Sequence, residues 1–362
     1  MKQSVKFAAA MGALTLALTA CAGNGNVAQQ SDGAKAELPF KACAVSDTGG
    51  WQDKSFNQSA YDGLMEAKSF LGVTVNTAES DTVEDFTSNV EKMVDDSCTL
   101  IIGVGFHLEP AVHESALKHT DRNYALIDST FSDGTNPVVL ENGRPLLFNT
   151  SEAAYLAGYA SAAMTKTGKV ATFGGAQIPA VTVFMDGFAD GVNAYNQAKG
   201  ASVQVLGWDK EAQTGAFTDS FDDQSLGLQQ AQQFISEGAD IIMPVAGPVG
   251  LGAAAAAKSS GNTLIVGVDT DWYEANPQYS SIVLTSVRKE IGAAVEQAIQ
   301  DSTKGKFTSD PYVGTLANGG VSLAPFHDFE AQVPMEVKQE ISKLTEQIKK
   351  GTLVIESENA PK

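Results

Sequence analysis

Short apolar runs alternate with amphipathic stretches along nearly the whole of this 362-residue chain, and that alternation leaves few folds open. Strand-like runs fall near 41–46, 73–76, 100–104, 124–128 and 146–149, and again near 170–173, 203–206, 241–245, 264–268 and 282–286. Helical patterns occupy 59–70, 86–95, 109–118, 152–165, 181–197, 225–236, 250–259 and 290–303, with a last amphipathic stretch over 335–349. Repeated βα order implies α/β architecture, with parallel sheets covered on both faces by helices. A single ten-stranded sheet would be large. Two lobes of about five strands each suit the length better, with a cleft between them.

The N-terminus indicates where such a body works. Lys2 and Lys6 precede the apolar stretch 7–18, and small residues follow, the layout of a secretory signal over residues 1–20. The stretch is shorter than the roughly 20 residues of a membrane span. Leu18-Thr19-Ala20-Cys21 resembles the bacterial lipobox, in which the cysteine is acylated and becomes the new N-terminus. Residues 21–38, rich in Gly, Asn, Gln, Ser and Ala, read as a flexible tether. The expected location is therefore the outer face of the cell membrane, with the membrane reached through the lipid on Cys21. A formal net charge of −19 argues against nucleic acid and anionic headgroups as partners.

Two cysteines remain beyond Cys21. Cys43 lies in the first strand and Cys98 just before the third, and these strands are neighbours in a doubly wound sheet. A disulfide and a pair of buried thiols both fit. The histidines (His107, His113, His119 and His327) show no metal-ligand spacing, so neither a metal nor a cofactor is expected.

The densest chemistry lies in Asp47-Thr48-Gly49-Gly50-Trp51-Gln52-Asp53-Lys54-Ser55-Phe56-Asn57-Gln58, between the first strand and the first helix. Carboxylates, amides, close-approach glycines and a flat ring suit a small polar ring compound at the ligand end of an α/β sheet.

With Asp53–Gln58 stand Glu152-Ala153-Ala154-Tyr155-Leu156-Ala157-Gly158, Ile178-Pro179 with Val181, Phe184, Gly187, Phe188 and Gly191, and Gly267-Val268-Asp269-Thr270-Asp271 followed by Thr285-Ser286-Val287-Arg288-Lys289. In shared order and spacing, from about residue 40 to 326, these segments resemble the basic membrane protein family. Its members are substrate-binding lipoproteins of ABC importers, among them the purine nucleoside receptors. The resemblance implies a two-lobed periplasmic-binding fold of the first type with three hinge crossings, no catalysis, no cofactor and a monomer. It places residues 39–150 plus 284–311 in the first lobe and 151–283 plus 312–362 in the second. It implies nucleoside capture in the interlobe cleft and delivery to a permease and its ATPase subunits.

Each segment then has an expected role. Phe56 and Phe184 stack on the base, with Phe188 as a neighbour to the latter. Asn57 and Asp128 read base edges. Asp269, Lys289 and Asp47 hold the ribose, Gly247 offers backbone at close approach, and Asp53 either meets the ligand or shapes the Asp47–Gln58 loop. Ala246-Gly247-Pro248-Val249-Gly250 is poorer in glycine than the family's pattern, and Pro248 removes a backbone donor.

Other classes fit less well. The segment 247–252 precedes a helix but lacks the lysine and hydroxyl residue of a phosphate loop. A nucleoside hydrolase needs carboxylates clustered on one loop, and no G-x-S-x-G elbow occurs. A sugar receptor remains a rival because Trp51 and Trp272 fall near cleft loops, and a surface sensor or adhesin without transport is the further alternative.

Overall fold

The computed structural model describes residues 40–361; the signal segment, Cys21 and the tether expected over 21–38 lie outside the described residues, the tether's last reach at residue 38 included. In chain order the elements begin with strand β1 (Lys41–Val45), helix α1 (Phe56–Leu71), β2 (Thr74–Ala78), α2 (Asp85–Asp95), β3 (Leu100–Val104), α3 (Glu109–Lys118), β4 (Asn123–Ile127) and β5 (Gly143–Phe148). Then come α4 (Ser151–Met164), β6 (Lys169–Gly174), α5 (Pro179–Lys199), β7 (Gln204–Leu206) and the small hairpin β8 (Trp208–Asp209) and β9 (Thr214–Gly215). They are followed by α6 (Gln224–Ser236), β10 (Ile241–Val245), α7 (Val249–Ser260), β11 (Leu264–Asp269), α8 (Trp272–Ala275), β12 (Val283–Lys289) and α9 (Ile291–Thr303). The chain closes with β13 (Tyr312–Gly314), β14 (Val321–Leu323) and α10 (Met335–Lys349).

Two sheets with the same connectivity make the two lobes. The first runs β2-β1-β3-β4-β5-β13 and the second β7-β6-β10-β11-β12-β14. All the pairings are parallel except β12 with β14. Strand order reverses beside β1 in one sheet and beside β6 in the other, which opens a crevice at the carboxyl ends of the strands. Side chains of β1 alternate between two apolar layers: Ala42 and Ala44 join the core under α1 and α9, while Cys43 and Val45 join the one under α2 and α3. There Cys43 and Cys98 form a disulfide, with their Cα atoms 5.9 Å apart.

Two of the expected lobe boundaries are corrected. Val283–Lys289 lies in the second sheet, parallel to β11, and only the following helix α9 returns to pack on α1 of the first lobe. Tyr312–Gly314 adds to the first sheet beside β5, and the chain re-enters the second sheet only at Val321–Leu323. An apolar run specifies a strand but not the sheet edge it joins, because the backbone bonds of both edges are chemically alike. Helix α10 packs against α4 of the second lobe through a stripe that buries Val337 and Ile341.

Candidate functional site

The loop from β1 to α1 is organised by two carboxylates. Asp53 accepts the backbone N–H groups of Ser55 (2.9 Å), Asn57 (2.8 Å) and Gln58 (2.9 Å), so it caps α1 and occupies both its oxygens. Burial pushes its pKa up to about 6 against those three donors, and the nearby Asp47 adds to the rise. Asp47 accepts the Gly49 N–H at 2.9 Å and the Asn57 Nδ2 at 2.7 Å. Burial raises its pKa as well. The amide of Asn57 is thereby fixed, and its Oδ1 remains a buried acceptor with no partner among the described residues. Gly105, just past β3, has φ +102°, and a Cβ there would stand 2.7 Å from Asp47 Oδ2. The carboxylate therefore depends on a glycine at that turn.

A second polar centre forms where the lobes meet. Asp128 follows β4 and Asp269 ends β11, the equivalent strands of the two sheets. Both adopt left-handed backbone, with φ +63° and +67°. Such conformations are uncommon outside glycine and Asn/Asp, and they gather at functional sites. Lys289, the last residue of β12, ion-pairs with Asp128 and lies 3.5 Å from an Asp269 oxygen. Burial opposes its charge, but the two carboxylates outweigh that and lift its pKa above the usual lysine value. Its Nζ also lies 5.2 Å from the centroid of the Phe56 ring and 5.1 Å from that of Phe184. Further bonds join the lobes here: Ser55 Oγ to Asp269 Oδ2 (3.3 Å) and to the Val268 carbonyl (3.5 Å), and Thr270 Oγ1 to the Lys54 carbonyl (3.2 Å).

These groups border one cleft of about 600 Å³, its open mouth included. Asp47, Asp53, Phe56, Asn57, Asp128, Phe184, Gly247, Asp269 and Lys289 all line it. Phe188 does not. It lies one turn further along α5, fully buried, with its backbone carbonyl against Gly158 of α4. Helical spacing keeps residues four apart on one face but also moves the second a full turn along the axis, here into the core.

Residues expected at the base are bonded to residues expected at the sugar. Asn57, expected at the base, is bonded to Asp47, expected at the sugar. Asp128, expected at the base, is paired with Lys289, expected at the sugar. The polar groups thus form two bonded sets, Asp47–Asn57 and Asp128–Lys289–Asp269, the second with the rings of Phe56 and Phe184 close to its lysine.

Sequence reasoning missed part of the wall. Phe106 after β3 and Phe221 before α6 line the cleft from opposite lobes, their ring centroids 6.0 Å apart at 61°. Phe106 was findable, since it lies two residues past the carboxyl end of a strand. Phe221 sits in a segment without apolar period. Ile178 and Val181, noted only as parts of a motif, give the second lobe an apolar wall. Trp51 and Trp272 are buried and absent from the lining, and the indole of Trp272 donates to the Val268 carbonyl at 2.9 Å. Neither is placed to bracket a sugar ring. Among the described residues no three His, Cys, Asp or Glu side chains are grouped as metal ligands.

Comparison with known proteins agrees with this geometry. Residues 40–358 match the Bmp family model, described as ABC transporter substrate-binding protein PnrA-like. The ABC transporter nucleoside-binding protein BmpA of Lactococcus lactis subsp. cremoris is 29% identical, covering 89% of this chain and 91% of that protein. Basic membrane protein A of Borreliella burgdorferi is 28% identical, covering 95% and 93%. A solute-binding protein of an ABC transporter system from Aeropyrum pernix K1 superposes with a TM-score of 0.76 at 25% identity, covering 87% of this chain and 93% of its own. The chain belongs to the Bmp family of PnrA-like ABC transporter substrate-binding proteins, and it is an extracytoplasmic solute-binding protein rather than an enzyme.

Proposed function

We propose that the cleft captures a nucleoside, with purines preferred, and presents it to a permease and its ATPase subunits while a lipid on Cys21 holds the protein to the membrane. The observation that carries this reading is one cleft that combines carboxylates and an amide with aromatic and aliphatic surface. One lobe offers carboxylates, an amide with an unpartnered buried acceptor, and the half-buried ring of Phe56. The other offers Ile178, Val181, Phe184 and the half-buried ring of Phe221, together with Asp269 and Lys289 at the ends of its strands. A nucleoside has the same combination, with a flat base that stacks and a ribose whose hydroxyls donate to carboxylates. The Lactococcus relative is itself named a nucleoside-binding protein. A phosphate group would meet Asp47 and the net negative Asp128–Lys289–Asp269 group in the same cleft, so unphosphorylated ligands suit it.

Thermal-shift screening against nucleosides, free bases, nucleotides and monosaccharides tests the reading. A ligand at a hundredfold excess over its Kd stabilises the folded chain by about 2.7 kcal/mol. Guanosine, adenosine or inosine should give the largest shift. A shift with monosaccharides and none with nucleosides overturns the assignment. Uptake of labelled nucleoside, lost on deletion of the gene and not restored by a Cys21→Ser chain, tests transport and anchoring.

A further inference from the structure

The Glu152–Gly158 segment stands out in the sequence, yet Glu152 does not line the cleft. Its position explains what it does instead. The chain passes between lobes three times among the described residues: from β5 to α4 through 149–150, from β12 to α9 at Glu290, and from β13 to β14 through 315–320. The third crossing touches both others. Asn149 N–H donates to the Gly314 carbonyl (2.8 Å), and Glu290 N–H donates to the Gly320 carbonyl (2.9 Å). Where the third crossing leaves and re-joins the lobes, Gly314 and Gly320 approach so closely that a Cβ on Gly320 would lie 2.3 Å from the Gly314 Cα.

Glu152, in the first turn of α4, fastens this arrangement from the side. One of its carboxylate oxygens accepts the Leu316 N–H at 2.7 Å, and the other accepts Asn149 Nδ2 at 3.1 Å. Ser151 Oγ in turn donates to Asn149 Oδ1 at 2.7 Å, which sets the amide's orientation. Leu316 is buried, so its N–H has no ready substitute in water. Opening the cleft must change backbone angles in these three segments, because they alone carry the chain from one lobe to the other.

We propose that Glu152 is a hinge-positioning residue, whose carboxylate ties the first interlobe crossing to the third and so sets the balance between open and closed cleft. The test uses Glu152→Ala and Glu152→Gln in the full chain, with spin labels on the outer faces of the lobes through Glu114→Cys and Gln232→Cys. Pulsed electron paramagnetic resonance then gives the interlobe distance with and without guanosine. Without ligand, Glu152→Ala should shift and broaden the distance distribution, and guanosine should dissociate on the order of tenfold faster, as expected for loss of a charged hydrogen bond. Glu152→Gln keeps an acceptor for Leu316 N–H but turns an amide toward Asn149, so it should fall between wild type and Glu152→Ala. If Glu152→Ala melts earlier but keeps the wild-type distances and dissociation rate, Glu152 is a packing residue and the proposal fails. The proposal rests on the solute-binding reading but not on the ligand's identity. Should guanosine bind neither wild type nor variants, the nucleoside assignment falls while the ligand-free distances still decide the hinge.

Discussion

The loop from β1 to α1 and the loop from β6 to α5 hold equivalent places in two sheets of the same connectivity, yet they carry opposite chemistry. The first brings Asp47, Asp53 and Asn57 to the cleft; the second, with the helix it starts, brings Ile178, Val181 and Phe184. A polar wall orients a solute through directed bonds. An apolar wall supplies contact area and excludes water, which strengthens every bond on the polar side. Equivalent folding at the two positions therefore does not mean equivalent function. Between the two loops a buried cation, Lys289 of the second sheet, joins an aspartate from each lobe.

The largest effect should come from removing that cation. Lys289→Met leaves Asp128 and Asp269 buried without a counter-charge, and breaking such a pair costs about 3–5 kcal/mol. Urea unfolding should show the loss, and calorimetric titration with guanosine should show affinity falling by about a hundredfold or more. Stability close to wild type would mean that the two lobes do not depend on this link. Next comes Phe56→Ala, which removes the ring of the polar wall. Base stacking contributes about 1–3 kcal/mol, so nucleoside affinity should fall on the order of tenfold or more. Unchanged affinity would assign Phe56 to packing and leave base contact to the second lobe.

Acidity separates the walls more finely, since the first-lobe loop titrates and its second-lobe equivalent does not. The folded-state pKa of Asp53, about 6, lies above its value in the unfolded chain, so the folded state holds this proton more tightly. The resulting stability is fully present below about pH 4 and is lost as pH rises through about 6. Between pH 7 and pH 5 the wild type should therefore gain about 1 kcal/mol relative to Asp53→Asn, measured by urea unfolding at each pH. A difference independent of pH would show Asp53 to be ionised throughout, held by its three N–H donors. The smallest binding effect belongs to Phe188→Leu. It should lower stability on the order of 1 kcal/mol while guanosine affinity stays within about twofold, because the ring lies behind the apolar wall. A large loss of affinity would extend that wall one turn deeper than the structure shows.

Much of the fold was legible in the sequence. The βα alternation located the main strands and helices, because a buried parallel strand reads as an apolar run and a covering helix shows a 3.6-residue period. Most lining residues were legible too, since strand ends and the loops after them carry ligands in this architecture. Asp128 and Asp269 follow that rule directly. What escaped was pairing. Nothing local in Val283–Lys289 says that it joins β11, and nothing in the segment holding Phe221 says that its ring meets Phe106. Nor does spacing reveal that Asn57 belongs with Asp47, or Asp128 with Lys289.

The sequence by itself therefore determined the α/β class and the kinds of side chain at the cleft, because period and composition are local and additive; the two-lobed arrangement followed from length and from the family resemblance. Only the tertiary structure decided which sheet each late strand enters, which carboxylate faces the lysine, that Asp53 spends its oxygens on capping α1, and that Glu152 fastens the crossings. Those outcomes depend on contacts between residues far apart in the chain, as with Lys289 and Asp128, 161 positions distant. Such contacts are set by close packing and by the need of each buried charge or N–H for a partner, and neither condition can be evaluated until the chain has closed on itself.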